Sequence, residues 1–477
     1  MDRPLKSPGL HALEEAFQRQ IELSRSEPAP TLQARLDRLR RLRAAVTENE
    51  ARFEAAISAD FGHRCTVETM IAETMIVLGE IKHAAKHLKH WMAPQRVPTT
   101  VQFAPARNRL IPQPLGVVGI IAPWNYPLQL TLAPTVAAIA AGNRAIIKPS
   151  ELVPRFAELL AEAIAKKFDA TEIAVTDIDD DIAKAFATLP FDHLIFTGST
   201  RVGRLVAEAA GRNLTPVTLE LGGKSPVIID GSADIDEAAR RIAYGKLLNA
   251  GQTCIAPDYV LAPQASVQPF AMRLQGHMQH MFGTDPGNPD YTSIVSDRHY
   301  TRLEGLVADA AAKGATIMQL AAPNDPEWKS RRKFPPTVIV DATQEMAVMQ
   351  EEIFGPLLPV MGCRDAADAI ASINRRDRPL ALYWFGTDNA ARDEVLARTV
   401  SGGVTVNDCL FHVAQAYQPM GGVGASGTGA YHGEWGFKAL TKLKPVFYRS
   451  RLNRLADLYP PYGAKIARLE KLMRLLS

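Results

Sequence analysis

The sequence predicts an α/β protein with two doubly wound, mostly parallel sheets in two lobes that share a cleft. Three observations predict it. Short apolar runs of strand length alternate with helix-period segments from about residue 115 onward. A composition break at Leu221-Gly222-Gly223-Lys224 opens a second run of the same kind. The chain has 477 residues, 47% hydrophobic and 22% charged, enough for several cores and without the bias of a disordered, collagen-like or coiled-coil chain.

The elements follow in order. The first hundred residues read as helices. Leu32, Leu36, Leu39, Leu42 and Val46 fall on one face, and Arg35, Arg38, Arg40, Arg41 and Arg43 around them read as a solvated surface. Residues 101–113 alternate in the manner of an extended segment. Strands are expected at 117–122 and 145–148, then a helix with the apolar face Phe156, Leu159, Leu160, Ala163 and Ile164. Strands at 173–176 and 194–197, a helix over Val202, Leu205, Val206 and Ala209, and a strand at 217–221 complete the first run. The second run has strands at 227–230, 259–262, 338–340, 357–360 and 380–385. In such folds ligands sit at the carboxyl ends of the strands, and clefts between lobes hold small molecules.

Composition narrows the function. Lys and Arg total 54 against 51 Asp and Glu, a net +3 that gives no electrostatic footprint for nucleic acid. Four irregularly spaced cysteines form no disulfide framework or metal clip, which points to a reducing compartment. The amino terminus carries no signal-peptide pattern, so a cytoplasmic location is expected. No charged residue occurs from 110 to 143, yet Pro123, Pro127 and Pro134 interrupt the stretch, which reads as a buried strand, a turn and a buried helix. His83, His87 and His90 have metal-like spacing, but Lys82, Lys86 and Lys89 interleave them and would repel a cation, so no metal is expected.

Some residues stand where chemistry could occur. Cys254, in Asn249-Ala-Gly-Gln-Thr-Cys254, follows a helix end and a glycine turn that can surround a thiol with backbone N–H groups; a buried structural cysteine is the alternative. Glu220 ends an apolar strand before Gly222-Gly223, a desolvated place suited to a general base or to capping the turn. Asn125, between Pro123 and Pro127, could donate to an oxyanion or hold the turn. Lys148 and Glu151 lie where a doubly wound fold binds a nucleotide ribose, with Ser150 and Glu151 also readable as caps. Gly198-Ser199-Thr-Arg-Val-Gly203 runs from strand into helix, where Gly198 would admit a pyrophosphate. The formal Gly-x-Gly-x-x-Gly match at Gly422, Gly424 and Gly427 has no helix after it and reads as a close-packed loop.

In order and wording these segments resemble the aldehyde dehydrogenase superfamily over nearly the whole chain. Cys254-Ile-Ala-Pro-Asp-Tyr259, Thr218-Leu-Glu-Leu-Gly-Gly-Lys-Ser-Pro226, Gln350-Glu-Glu-Ile-Phe-Gly-Pro356 and Ala430-Tyr-His-Gly433 are similar to its class 3 branch. Asp60-Phe-Gly-His63, Pro190-Phe-Asp-His193 and Leu458-Tyr-Pro-Pro461 are most similar to bacterial coniferyl aldehyde dehydrogenases. The resemblance implies oxidation of aromatic, cinnamyl-type or medium-chain aldehydes to carboxylic acids with NAD, NADP being the alternative. Cys254 is implied as nucleophile, Asn125 as oxyanion donor and Glu220 as the base for hydrolysis of a thioester. Lys148 and Glu151 are implied at the adenosine ribose, Ser199 and Trp124 along the pyrophosphate, Gly198 and Gly203 at the cofactor, and Glu352 with Phe354 at the nicotinamide ribose.

It further implies a cofactor domain (1–96 and 115–220), a catalytic domain (221–405), a small antiparallel oligomerisation arm (97–114 and 406–452), a tail (453–477) and a homodimer. A CoA-acylating enzyme and an inactive cofactor-binding scaffold are the rivals. Two departures from the branch are Asp177-Ile-Asp-Asp-Asp181, where relatives carry a Gly-Gly turn, and Met420, where they carry phenylalanine. The acidic stretch, with Glu151, favours NAD over NADP if it approaches the cofactor; a solvated turn is the alternative. In the tail, Ile466, Leu469, Leu472, Met473 and Leu476 share a face ringed by Lys465, Arg468, Lys471 and Arg474, a pattern for a membrane surface or for docking on a partner subunit.

Overall fold

The computed structural model describes residues 7–322, 325–452 and 459–474. Among these, the strands form three sheets. The first runs, edge to edge, Gly427–Thr428, Val217–Leu221, His193–Gly198, Val117–Ile121, Arg144–Lys148 and Ile173–Val175, all parallel except the two-residue edge strand. Helices cover both faces, which is why Val117–Ile121, Arg144–Lys148 and His193–Gly198 are apolar runs buried almost throughout. The chain builds outward from Val117–Ile121 to Ile173–Val175, then returns to lay His193–Gly198 on the other side of the first strand. The resulting switch point lies between the ends of Val117–Ile121 and His193–Gly198, where a doubly wound sheet opens a ligand crevice.

The second sheet runs Thr316–Gln319, Thr337–Val340, Leu357–Cys363, Tyr259–Pro263, Pro226–Ile229, Ala381–Phe385 and Gly403–Val406, parallel but for the antiparallel edge Thr316–Gln319. A third, antiparallel sheet joins Gln95–Val97, Arg107–Pro114 and Thr441–Tyr448, the last two paired from Thr441 with Pro114 to Tyr448 with Arg107. The α/β architecture with its antiparallel arm is therefore as expected. Gly427–Thr428, within the segment assigned to the arm, pairs instead with the strand of Glu220.

One reading is overturned. In the helix Leu32–Thr47, Arg35 and Arg38 are buried rather than solvated. Arg35 Nη1 donates to the carbonyls of Ala140 and Ala141 at 3.1 and 2.7 Å, satisfying the carboxyl end of the helix Pro127–Ala141, and Arg38 pairs with Glu172 at 2.9 Å. That helix, in the uncharged stretch, is buried all round, and no helix among the described residues is long and apolar enough to cross a membrane. In the tail, the helix Ile466–Arg474 leaves Ile466 and Met473 exposed. Residues 453–458, which include Leu458, and 475–477, which include Leu476, lie outside the described residues, as do the side chains of Leu469 and Leu472.

Candidate active site

Cys254 follows the helix Ile235–Leu247 through a turn in which Asn249, Ala250 and Gly251 are all left-handed, with φ of 55°, 51° and 74°. Such a conformation costs a non-glycine residue about 1–2 kcal/mol, so the surroundings must impose it. Glu68 accepts the Asn249 N–H at 3.2 Å and the Thr292 hydroxyl at 2.7 Å. Asn249 Nδ2 donates to the Asn125 carbonyl at 2.9 Å, and Gln252 Nε2 donates to Asn249 O and Ser293 O, both at 3.0 Å. A Cβ on Gly251 would stand 2.3 Å from the Gly355 carbonyl, so only glycine fits.

The turn delivers Cys254 to the wall of an apolar cavity of about 270 Å³ that Tyr126, Leu130, Leu248 and Met420 also line. Cys254 is half-buried as a residue, unlike the buried Cys65, Cys363 and Cys409. Burial, reinforced by the charges of Glu352 and Glu220, pushes its pKa up to about 12, against the pull of the N–H groups of Cys254 and Ile255.

Asn125 comes from the loop after Val117–Ile121. Its side-chain Nδ2 donates to the Gln252 carbonyl at 3.1 Å, two residues before the thiol, and one of its two hydrogens is left for another acceptor. Glu220 stands in the neighbouring strand order between Thr197 and Gly427, 2% exposed, with no hydrogen-bond partner for either oxygen. Desolvation raises its pKa well above the ordinary carboxyl value. The structure thus brings Cys254, Asn125 and Glu220 to one place from three distant segments.

The residues expected at a dinucleotide collect around the switch point. Lys148, at a strand end, reaches Glu151 at 3.3 Å. Ser199 caps the helix Thr200–Gly211, and a Cβ on Gly203 would meet Leu221 at 2.5 Å, so the helix packs hard against Val217–Leu221, the strand that follows it. Trp124 lies edge-on to Phe354, with ring centroids 5.4 Å apart. Glu352 retains an unpartnered buried oxygen, and a Cβ on Gly222 would fall 1.9 Å from its carboxylate. Burial, then the charge of Asp258, lifts Glu352 to about 8 against a Gly223 N–H. A lysine–carboxylate pair at a strand end, a capped helix start and a carboxylate with a free oxygen fit a dinucleotide. The loop of Gly422, Gly424 and Gly427 packs on Leu219 and Glu220 and frames no helix start.

The sequence model of the aldehyde dehydrogenase family matches residues 11–446. The chain belongs to the aldehyde dehydrogenase family. This aldehyde dehydrogenase is 46% identical over 460 residues to the probable coniferyl aldehyde dehydrogenase of Caulobacter vibrioides, covering 95% of each chain. It is 38% identical to the dimeric NADP-preferring aldehyde dehydrogenase of Rattus norvegicus, over 96% of this chain and 100% of that one. The solved structure of Staphylococcus aureus AldH in its substrate-bound state superposes with a TM-score of 0.91 at 38% identity, covering 97% of this chain and 99% of that one. The chain is therefore an oxidoreductase that oxidises aldehydes to carboxylic acids with NAD(P)+.

The dehydrogenase also holds site residues that sequence reasoning missed. Met70–Thr74 forms a π-helical turn, a rare feature that clusters at functional sites, and it puts Ile71 and Ala72 in the cavity wall. The same turn buries Glu73, whose Oε2 accepts the N–H groups of Leu128 and Gln129 at 2.6 and 3.2 Å at the start of Pro127–Ala141. Arg64 pairs with Glu73 and donates to the Asn125 carbonyl at 3.1 Å. The signal was a lone charge, Glu73, in the otherwise apolar run of residues 70–79. Among the described residues no three His, Cys, Asp or Glu side chains are arranged to hold a metal.

Proposed function

We propose that the chain oxidises cinnamyl-type aromatic aldehydes, coniferyl aldehyde first among them and medium-chain aliphatic aldehydes second, with NAD as preferred cofactor. The observation that carries the reading is a thiol on the wall of an apolar cavity beside a side-chain amide and an unpaired buried carboxylate. As thiolate, Cys254 attacks the carbonyl carbon, and the Asn125 amide with the Cys254 N–H holds the oxyanion of the thiohemiacetal. NAD supplies the hydride acceptor when bound. Lys148 and Glu151 would hold its adenosine ribose, Trp124 and Ser199 its pyrophosphate, which Gly198 admits while Gly203 lets the helix pack close to Leu221, and Glu352 with Phe354 its nicotinamide ribose. Glu220, with both oxygens free, takes a proton from the water that hydrolyses the Cys254 thioester.

The Glu151 carboxylate at the ribose end supports NAD, because it would repel a 2′-phosphate. The acidic stretch contributes less. Asp179 caps the helix Asp180–Phe186 through the Asp181 N–H, and Asp177 packs beside Gly9. The first sheet is read as the cofactor domain (1–96 and 115–220), the second as the catalytic domain (221–405), and the third as the arm (97–114 and 406–452) of a cytoplasmic homodimer. The tail (453–477) is read as docking on the partner subunit, with a membrane surface as the alternative.

Purified protein given coniferyl aldehyde, benzaldehyde or hexanal with NAD or NADP should form reduced cofactor, fastest with coniferyl aldehyde and NAD, and not at all as Cys254→Ala. Equal rates with both cofactors would refute the NAD preference. A thioester released only by CoA would reassign the enzyme to acylation of CoA.

A further inference from the structure

The aldehyde-sized cavity at Cys254 has a neighbour. A second cavity of about 340 Å³ shares Ile76, Val413 and Ala414 with the first as wall residues, so the two adjoin through that wall. Their chemistry differs sharply. No charged side chain lines the inner cavity, whereas the outer one is lined by Lys82, Lys86, His83, His87 and Tyr417. These lysines and histidines recur at i and i+4 on the helix Met75–Trp91, which sets them in two adjacent stripes.

The rings form a wall. His83 and His87 lie 4.4 Å apart by centroid, Tyr417 stands edge-on to His83 at 4.5 Å, and Trp91 stacks behind His87 at 5.9 Å. The one acid lining this cavity, Glu80, is buried and turned to the Gly433 N–H at 3.1 Å. Glu434, in electrostatic reach of His83, is paired with Lys438 at 2.8 Å. Lys82 and Lys86 are exposed. Among the described residues neither meets a carboxylate, so their charge is available to whatever enters.

We propose that this outer cavity is a subsite for the far end of an extended aryl aldehyde that carries an oxygen there, phenolic or carboxylate, held by Lys82 and Lys86 against the ring wall. The proposal rests on aldehyde oxidation at Cys254. It adds that the enzyme selects the distal substituent as well as the aldehyde. An inner cavity without charges offers such a group no counter-charge, and an outer one with two ammonium groups does.

The test uses cinnamaldehyde, 4-hydroxycinnamaldehyde and 4-carboxycinnamaldehyde, which share a body and differ only at the far end. Their binding to Cys254→Ala is measured by calorimetry at low salt, with and without Lys82→Met and Lys86→Met. At least one oxygen-bearing compound should bind about fivefold tighter than cinnamaldehyde, the reach of one exposed ion pair, and high salt should shrink that margin. The double lysine change should abolish it and leave cinnamaldehyde unaltered. Whichever compound holds the margin identifies the oxygen, phenolic or carboxylate. Equal affinities for all three, or a margin that survives the lysine changes, would overturn the proposal. Absence of turnover by the wild type, with the binding order intact, would instead sink the activity reading and leave the subsite standing.

Discussion

Arg64 and Glu73 offer the sharpest test of how the site is held. Both side chains are fully buried, with Arg64 Nη1 2.7 Å from Glu73 Oε1, a contact outside good hydrogen-bond geometry. Desolvation pushes the Glu73 carboxyl up, and Arg64 with the two helix N–H groups opposes it. Removing one partner of such a pair leaves an uncompensated buried charge and costs about 3–5 kcal/mol. Arg64→Met strands Glu73; Glu73→Gln strands Arg64 and weakens the cap on Pro127–Ala141. The double variant removes both charges of the pair, so its loss should fall well below the sum of the singles, a coupling of about 2–3 kcal/mol. Activity should behave differently. The Asn125 carbonyl loses its charged donor in both variants that lack Arg64, and a hydrogen bond from a charged group contributes about 1.5–3 kcal/mol. Reduced-cofactor formation should therefore fall about tenfold or more in Arg64→Met, and the double variant should recover stability without recovering rate. Urea midpoints and steady-state rates on the four proteins decide it. Additive destabilisation, single losses below about 1 kcal/mol, or a rate that returns with stability would refute the reasoning.

Glu220→Gln should lower steady-state turnover by about 10²–10⁴-fold while leaving a stoichiometric burst of reduced cofactor. Its stability should shift the other way. Glu220 holds its proton more tightly folded than unfolded, so the wild type loses stability as pH rises from the ordinary carboxyl range toward the raised folded value. The variant escapes that loss and should melt higher than wild type at about pH 8, with the gap closing near pH 4; a gap independent of pH would contradict the assignment. Iodoacetamide alkylation of Cys254 in the dinucleotide-free enzyme should accelerate about tenfold per pH unit from pH 7 to 9, because burial holds the thiol up at about 12; a plateau within that range would show otherwise. Gly251→Ala should destabilise the protein by about 2 kcal/mol or more and abolish turnover, since its φ is 74° and the added carbon meets the Gly355 carbonyl; an active, stable variant would mean the turn can relax.

The parallel strands were legible because burial on both faces forces continuous apolar runs, as in Val117–Ile121 and Ala381–Phe385. Edge strands other than Ile173–Val175 escaped. Thr316–Gln319, Gly403–Val406 and Gly427–Thr428 are two to four residues long and partly exposed, so neither length nor periodicity marks them. Arg35 was misread for a different reason. A guanidinium among other arginines on a helix looks solvated, and its acceptors, Ala140 and Ala141, lie more than a hundred residues away along the chain.

The site divides along the same line between local and distant causes. Gly251 announced the turn at Cys254, because only glycine tolerates that close carbonyl. Asn249 is of a type that tolerates the same left-handed geometry, but nothing local announces it at Ala250, which does not. The turn is imposed by Glu68, Asn125 and Ser293, groups from other segments whose hydrogen bonds to Asn249 and Gln252 offset the strain. Glu68 and Glu73 belong to one continuous helical stretch, so the element that steadies the thiol's turn also caps the helix after Asn125. Steadied by one continuous element, the Cys254 thiol and the Asn125 amide are held in fixed relation, which is the geometric requirement of the proposed attack and oxyanion stabilisation at one carbonyl carbon.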